Sequence, residues 1–101
     1  MPEVSAVFVA NDSMSVGVLR AFHEHGLNVP GDVSIVGFDD LPEALWASPP
    51  LTTVRQPLVE MGALAARTVL RLVRGEPIET LRIELSTQLV VRESTAPPRA
   101  R

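Results

Sequence analysis

The chain contains no cysteine. Neither a disulfide framework nor a thiolate metal site can form, and the redox compartment leaves no mark on the composition. Lysine is also missing: all nine basic residues are arginine. A guanidinium-only surface suits planar pairing with carboxylates. Positive charge is in deficit, with 12 acidic against 9 basic residues and a formal net charge of -3. Domains that grip duplex DNA carry a basic patch or stripe, so this chain alone is a poor DNA-contacting element. No apolar run approaches the ~18–20 residues of a membrane span. The N-terminus shows no basic segment followed by an apolar stretch, so no signal peptide is visible. The expectation is a cytoplasmic protein with no membrane partner.

What is present is apolar and patterned. Hydrophobic residues make up 46% of the 101 positions, which argues against disorder, and the length fits one domain. Val4 to Ala10 (VSAVFVA) is a continuous, β-branched apolar run, the pattern of a strand buried on both faces of a parallel sheet. It runs into Asn11-Asp12-Ser13, helix-capping chemistry. A helix is expected from about Ser13 to His25, with Val18, Leu19 and Phe22 on its apolar side and Met14 and Ser15 a turn earlier. Gly26 supplies a left-handed stop and Leu27 the contact of a Schellman cap. After the turn at Pro30-Gly31, Val33 to Phe38 (VSIVGF) reads as a second buried strand, completing a βαβ unit.

Leu41 to Pro50 reads as a loop and Leu51 to Arg55 as a short extended piece. Pro57 suits the first position of a second helix, striped by Leu58, Met61, Ala65, Val69 or Thr68, and Leu72. Gly75 and Pro77 end it. Arg67, Arg71 and Arg74 line one side, which reads as a solvated face. Leu81, Ile83 and Leu85 alternate with polar residues as in a one-sided strand, and Gln88 to Arg92 forms another. Residues 1–95 are taken as the domain portion and 96–101 as a flexible tail. Two buried strands and one crossover helix cannot cover both faces of a doubly wound sheet. The expectation is part of a larger domain, or a protomer covered by a partner.

Three polar points fall at strand ends or helix starts, where ligands of open α/β sheets bind. Asn11 can donate to and accept from a polar ligand, while plain capping by Asp12 or Ser13 is the competing reading. Asp39 and Asp40 follow the second strand. A carboxylate accepts two hydroxyl hydrogen bonds, which suits a sugar-like molecule. Alternation sends one aspartate to the ligand and the other to the next turn, and a solvated turn is the alternative. Gln56, just before Pro57, either hydrogen-bonds a ligand or caps the second helix. His23 and His25 are two apart and share no helix face, so no metal site is expected. No serine has a nucleophile-elbow context and no glycine loop cradles phosphate. No catalytic residue, enzyme activity or cofactor is therefore expected. Trp46 reads as either a local core plug or an interface anchor.

The run AVFVANDSMSVGVLRAFHEHGLNVPGDVSIVGFDD, followed by PPLTTVRQPLVEMG and LVVRES, resembles the LacI/GalR family of transcription regulators over about nine-tenths of the chain. The resemblance implies an α/β fold with a mostly parallel sheet and flanking helices, part of a periplasmic-binding-protein-like (type I) architecture. It implies that Asn11, Asp39 and Gln56 line an effector cleft, with a sugar as effector. Gln56 would lie at a crossover between subdomains, and QLVVR would return to the first. A homodimer is implied, with Val16, Leu19, Arg20 and Trp46 facing the partner. DNA would be contacted through an N-terminal helix-turn-helix that this chain does not include. The alternative implied by the same fold is a piece of a periplasmic sugar-binding protein of a transport system.

Overall fold

A computed structural model of the protein describes residues 3–79 and 82–100. The element order is β1 (Ala6–Phe8), α1 (Asp12–Glu24), β2 (Ser34–Val36), α2 (Pro42–Trp46), β3 (Thr53–Arg55), α3 (Leu58–Val73) and β4 (Gln88–Val90). Two compact units divide the chain. The first joins Met1–Arg55 to Gln88–Arg101, and the second is Gln56–Thr87. The chain therefore leaves the first unit after Arg55 and re-enters it at Gln88.

In the first unit, β1 and β2 pair in parallel, with Ala6 opposite Ser34 and Phe8 opposite Val36. Single parallel bridges, Val36 to Thr52 and Asp39 to Arg55, carry the pairing from the β2 segment to β3. β3 then pairs antiparallel with β4, Thr53 opposite Val90 and Arg55 opposite Gln88. The strands thus form two two-stranded ladders, β1–β2 parallel and β3–β4 antiparallel, linked by those single bridges.

The core gathers Val9, Leu19, Ile35, Ala44 and Leu51, with Val7, Val18, Phe22, Val29 and Ala47 packed around it. The apolar side of α1 holds Val18, Leu19 and Phe22 as its spacing predicts, with Ser15 buried a turn earlier, while Met14 stands exposed. Its C-terminus closes as a Schellman cap: Gly26 at φ 75° donates to His23 O at 3.1 Å and Leu27 N to Phe22 O at 2.9 Å. A left-handed residue at that position favours glycine.

A buried polar seam ties the C-terminal segment to this core. Ser94 Oγ donates to Ile35 O at 2.6 Å and accepts from Thr52 N at 2.8 Å, and Ile35 N donates to Ser94 O at 2.9 Å. Within the expected tail, Ala96 N and O both bond Ser34 Oγ, at 3.0 and 3.1 Å. Arg99 pairs with Asp32 at 2.9 Å.

Three expectations are corrected. The β1 stretch is not buried on both faces: Val7 and Val9 turn to the core, while Ala6 and Phe8 on the other face are exposed, Phe8 by 64%. Residues 42–46 form a short helix, α2, rather than loop; Pro42 stands in its first turn, where its missing N–H costs nothing. Residues 82–87 form no ladder in the described structure, so the one-sided strand expected around Ile83 and Leu85 is not made there. Leu81 lies outside the described residues. A strand of alternating polarity is held by a neighbour's backbone groups. Among the described residues the second unit offers only α3 and extended chain, so that neighbour is missing.

α3 is amphipathic yet buries no residue. Leu64 and Thr68 are its half-buried positions. It ends with Gly75 at φ 71°, whose N–H donates to Leu72 O at 3.1 Å while Glu76 N donates to Arg71 O at 3.0 Å, a second Schellman closure.

Candidate functional site

The carboxyl ends of β1 and β2 lead into two short loops, and one backbone hydrogen bond joins them: Asp12 N donates to Phe38 O at 2.9 Å. That bond places Asn11-Asp12 beside Phe38-Asp39 at the edge where ligands of open α/β sheets sit.

Asn11 is the N-cap of α1. Its backbone is extended (φ -157°, ψ 168°), and Oδ1 accepts from Met14 N at 2.8 Å. The cap therefore falls on Asn11 itself, not on Asp12 or Ser13. With Oδ1 committed to the helix, the amide's Nδ2 is the group turned to other partners.

Asp12, read only as a candidate cap, is instead a fully buried junction. Oδ1 accepts from Thr53 Oγ1 at 2.6 Å and Oδ2 from Leu41 N at 2.8 Å. One carboxylate thus links the start of α1, the loop after β2 and strand β3. Gly37 makes room for it. A Cβ at Gly37 would collide with Asp12 Oδ1 and come within 2.9 Å of both Leu51 Cδ2 and Ser15 Oγ.

The two aspartates after β2 are separated by the backbone. Both have positive φ, 114° at Asp39 and 58° at Asp40. Such conformations cost of order 1–3 kcal/mol and persist only where surroundings fix them. Asp39 N donates to Val54 O at 2.9 Å. The Asp40 carboxylate is gripped by Arg55 Nε at 2.7 Å and Arg92 Nη2 at 2.7 Å. Arg92 also donates to Leu51 O at 2.9 Å. Burial pushes the Asp40 carboxyl up, but hydrogen bonds from Arg92 and Arg55 and their charges outweigh it, and the net shift is downward. Asp40 is therefore an ion-clamp residue.

Gln56 opens the second unit. Its carbonyl accepts from Leu58 N at 2.9 Å, and it lines a groove with Pro57, Met61, Leu64, Thr68 and Ile83. The structure brings Asn11 and Asp39 together through the Asp12–Phe38 bond, while Gln56 is fixed within its own unit.

The residues expected to face a partner lie on α1 and α2. Trp46 is 81% exposed, which removes its core-plug reading. Val16 lines one shallow groove with Pro42, Glu43, Trp46 and Ala47. It lines a second with Leu19, Arg20, His23 and Ser48. Leu19 is only 8% exposed and belongs mainly to the core. Arg20 is exposed and pairs with Glu24 at 3.0 Å. Among the described residues, no group of three or more acidic or imidazole side chains converges as a metal site. Among the described residues, no helix is long and apolar enough to cross a membrane.

Comparison with known proteins fits this geometry. The model of the periplasmic binding protein-like domain matches residues 1–95. The chain is 47% identical over 94 residues to the transcriptional regulator MalR of Streptomyces coelicolor, covering 93% of this chain and 27% of that protein. It is 38% identical over 94 residues to the ribose operon repressor of Halalkalibacterium halodurans, covering 93% and 28%. The chain thus spans little more than a quarter of the length of the curated relatives it matches. Among solved structures, the regulator CcpA of Lactococcus lactis superposes with a TM-score of 0.87 at 32% identity, over 93% of this chain and 35% of that one. The CelR–cellobiose complex gives 0.86 at 45% identity, over 92% and 28%. The lac repressor dimer bound to operator and an anti-inducer gives 0.81 at 37% identity, over 90% and 32%. These relatives are transcription regulators, not enzymes. On sequence, fold and the layout of its sheet edge, the chain belongs to the periplasmic binding protein-like domain family, in the form found in LacI-type regulators.

Proposed function

We propose that this chain is the effector-sensing and dimerisation portion of a LacI-type transcription regulator, and that its effector is a sugar. Residues 1–95 form that portion, with 96–101 as its tail. The observation that carries the reading is the hydrogen bond from Asp12 N to Phe38 O. It ties the loop that carries Asn11 to the loop that carries Asp39, which supports reading the two as partners in one site. A carboxylate accepting from two hydroxyls and an amide donating to a third oxygen is polyol recognition chemistry. Gln56, within its own unit, is a further candidate for effector contact. The cellobiose bound by the similar regulator CelR is a ligand of this class.

Regulation follows from linkage. A ligand that binds one arrangement of the sensing domain better than another shifts the population toward it, and DNA affinity changes by the same coupling free energy. DNA contact belongs to an N-terminal segment outside this acidic chain. The exposed face around Val16, Arg20 and Trp46, with the edge of Leu19, meets a second copy; the similar lac repressor is a dimer. The protein works in the cytoplasm.

The test is titration calorimetry of the protein against ribose, maltose and cellobiose, with Asp39→Ala alongside. A hydrogen bond to a charged group is worth about 1.5–3 kcal/mol, so affinity should fall about 10- to 150-fold. Undiminished binding by Asp39→Ala would remove Asp39 from the site.

A further inference from the structure

Asp40 holds two guanidinium groups from separate stretches of the chain, one on each oxygen: Arg55 of β3 at 2.7 Å and Arg92, just past β4, at 2.7 Å. Arg55 is the last residue of the first unit before the chain crosses to the second, and it pairs in register with Gln88, the residue where the chain returns. Arg92 follows β4 by two residues, and its backbone N–H donates to Thr52 Oγ1 at 2.9 Å. Its guanidinium reaches Leu51 O at 2.9 Å. The same carboxylate therefore grips the outgoing strand and the returning one.

The turn on the other side of Asp40 is the one that displays Asp39. Asp39 and Asp40 both hold positive φ, a conformation that needs outside support in residues other than glycine. That support is shared with the strands. Asp39 N bonds Val54 O at 2.9 Å, Asp39 pairs with Arg55 across a bridge, and Asp40 N reaches Thr53 Oγ1 at 3.4 Å.

We propose that Asp40 is a positioning residue, which through Arg55 and Arg92 locks the Asp39 turn and the β3–β4 strand pair into one mechanical element. Any displacement of the turn then moves the paired strand ends at which the chain enters and leaves the second unit. This inference rests on the sensing role of Asp39 for its biological meaning, but not for its test.

The clamp is measured without ligand, by hydrogen exchange on the full chain. Asp40→Asn keeps the size and removes the charge. Exchange at Asp39, Arg55 and Gln88–Val90 should rise together by about tenfold, the effect of losing one charge-assisted bond. Amides of β1, β2 and α1 should keep their protection. Arg55→Met, at a half-exposed side chain, removes one arm without threatening the fold and should give a smaller rise at the same amides. Asp40→Glu should restore part of the protection. Unchanged exchange at these amides in both variants would overturn the proposal. So would a rise spread evenly over β1 and β2, the signature of a merely stabilising ion pair. If the strand pair loosens but none of ribose, maltose or cellobiose binds the parent protein, the clamp stands and the sugar-sensing reading falls.

Discussion

Replacing Gly37 by alanine should sharply destabilise the first unit for the sake of one methyl group. That methyl would stand against the Asp12 carboxylate, Leu51 and Ser15, all three fully buried. None is the loose end of a surface side chain, so none can swing into solvent. Overpacking of this kind costs about 1–3 kcal/mol. The larger loss is electrostatic. Moving Asp12 Oδ1 breaks its 2.6 Å bond from Thr53 and tilts Oδ2 away from Leu41 N. A buried carboxylate deprived of one such donor loses about 1.5–3 kcal/mol. The sum is about 2.5–6 kcal/mol, a large share of the ~5–15 kcal/mol that holds an average domain together. In a domain of this size each kcal/mol moves the melting temperature about 4–8 °C. A drop of at least about 10 °C in a circular dichroism melt is therefore expected, with a matching fall in the urea midpoint. Gly17→Ala is the internal control. It lies in α1 with nothing within 4 Å of the added carbon and should stabilise by about 0.5–1 kcal/mol through helix propensity. A Gly37→Ala protein within about 1 kcal/mol of the parent would refute the buried-junction account of Asp12.

Asn11→Ala should lower stability by about 1 kcal/mol through loss of the α1 cap, read in the same melt, and should weaken sugar binding in calorimetry. Asp40 predicts an acid limb. Its carboxyl titrates below the ordinary value in the folded state, so its contribution is complete above the unfolded value of about 3.9 and is lost as pH falls through the lower folded value. A urea series from pH 6 to pH 2 should show that limb shrink in Asp40→Asn and persist in Gly17→Ala. Trp46→Ala combined with Val16→Asp should shift sedimentation of the protein toward monomer with the fold intact; an unchanged profile would place the partner face elsewhere.

Local chemistry was legible in the sequence and long-range polar chemistry was not. The α1 stripe of Val18, Leu19 and Phe22, the glycine stop at Gly26 and the ends of α3 each depend on residues within one or two turns, and each appears as patterned. Asp12 looked like one more capping side chain because its partners, Leu41 and Thr53, are 29 and 41 residues away. Strand alternation says only that Asp39 and Asp40 point apart, and it does not apply where both take positive φ; the partners of Asp40 set it apart. Those partners, Arg55 and Arg92, lie 15 and 52 positions along the chain. The alternation around Ile83 named a strand, but a strand also requires an edge to pair with, and no local pattern reports whether one is there.

The cap on α1 has a consequence for selectivity. Because Met14 N–H occupies Asn11 Oδ1, the amide cannot rotate end over end to suit an incoming molecule without fraying the first turn. Its polarity is set during folding, so a guest arriving at Nδ2 must bring a lone pair. Hydroxyl, ether and carbonyl oxygens qualify, while an ammonium group does not. Under the proposed sensing role, an orientation fixed in this way also spares a complex the loss of one side chain's rotational freedom, so the helix that Asn11 begins would sharpen the choice of guest.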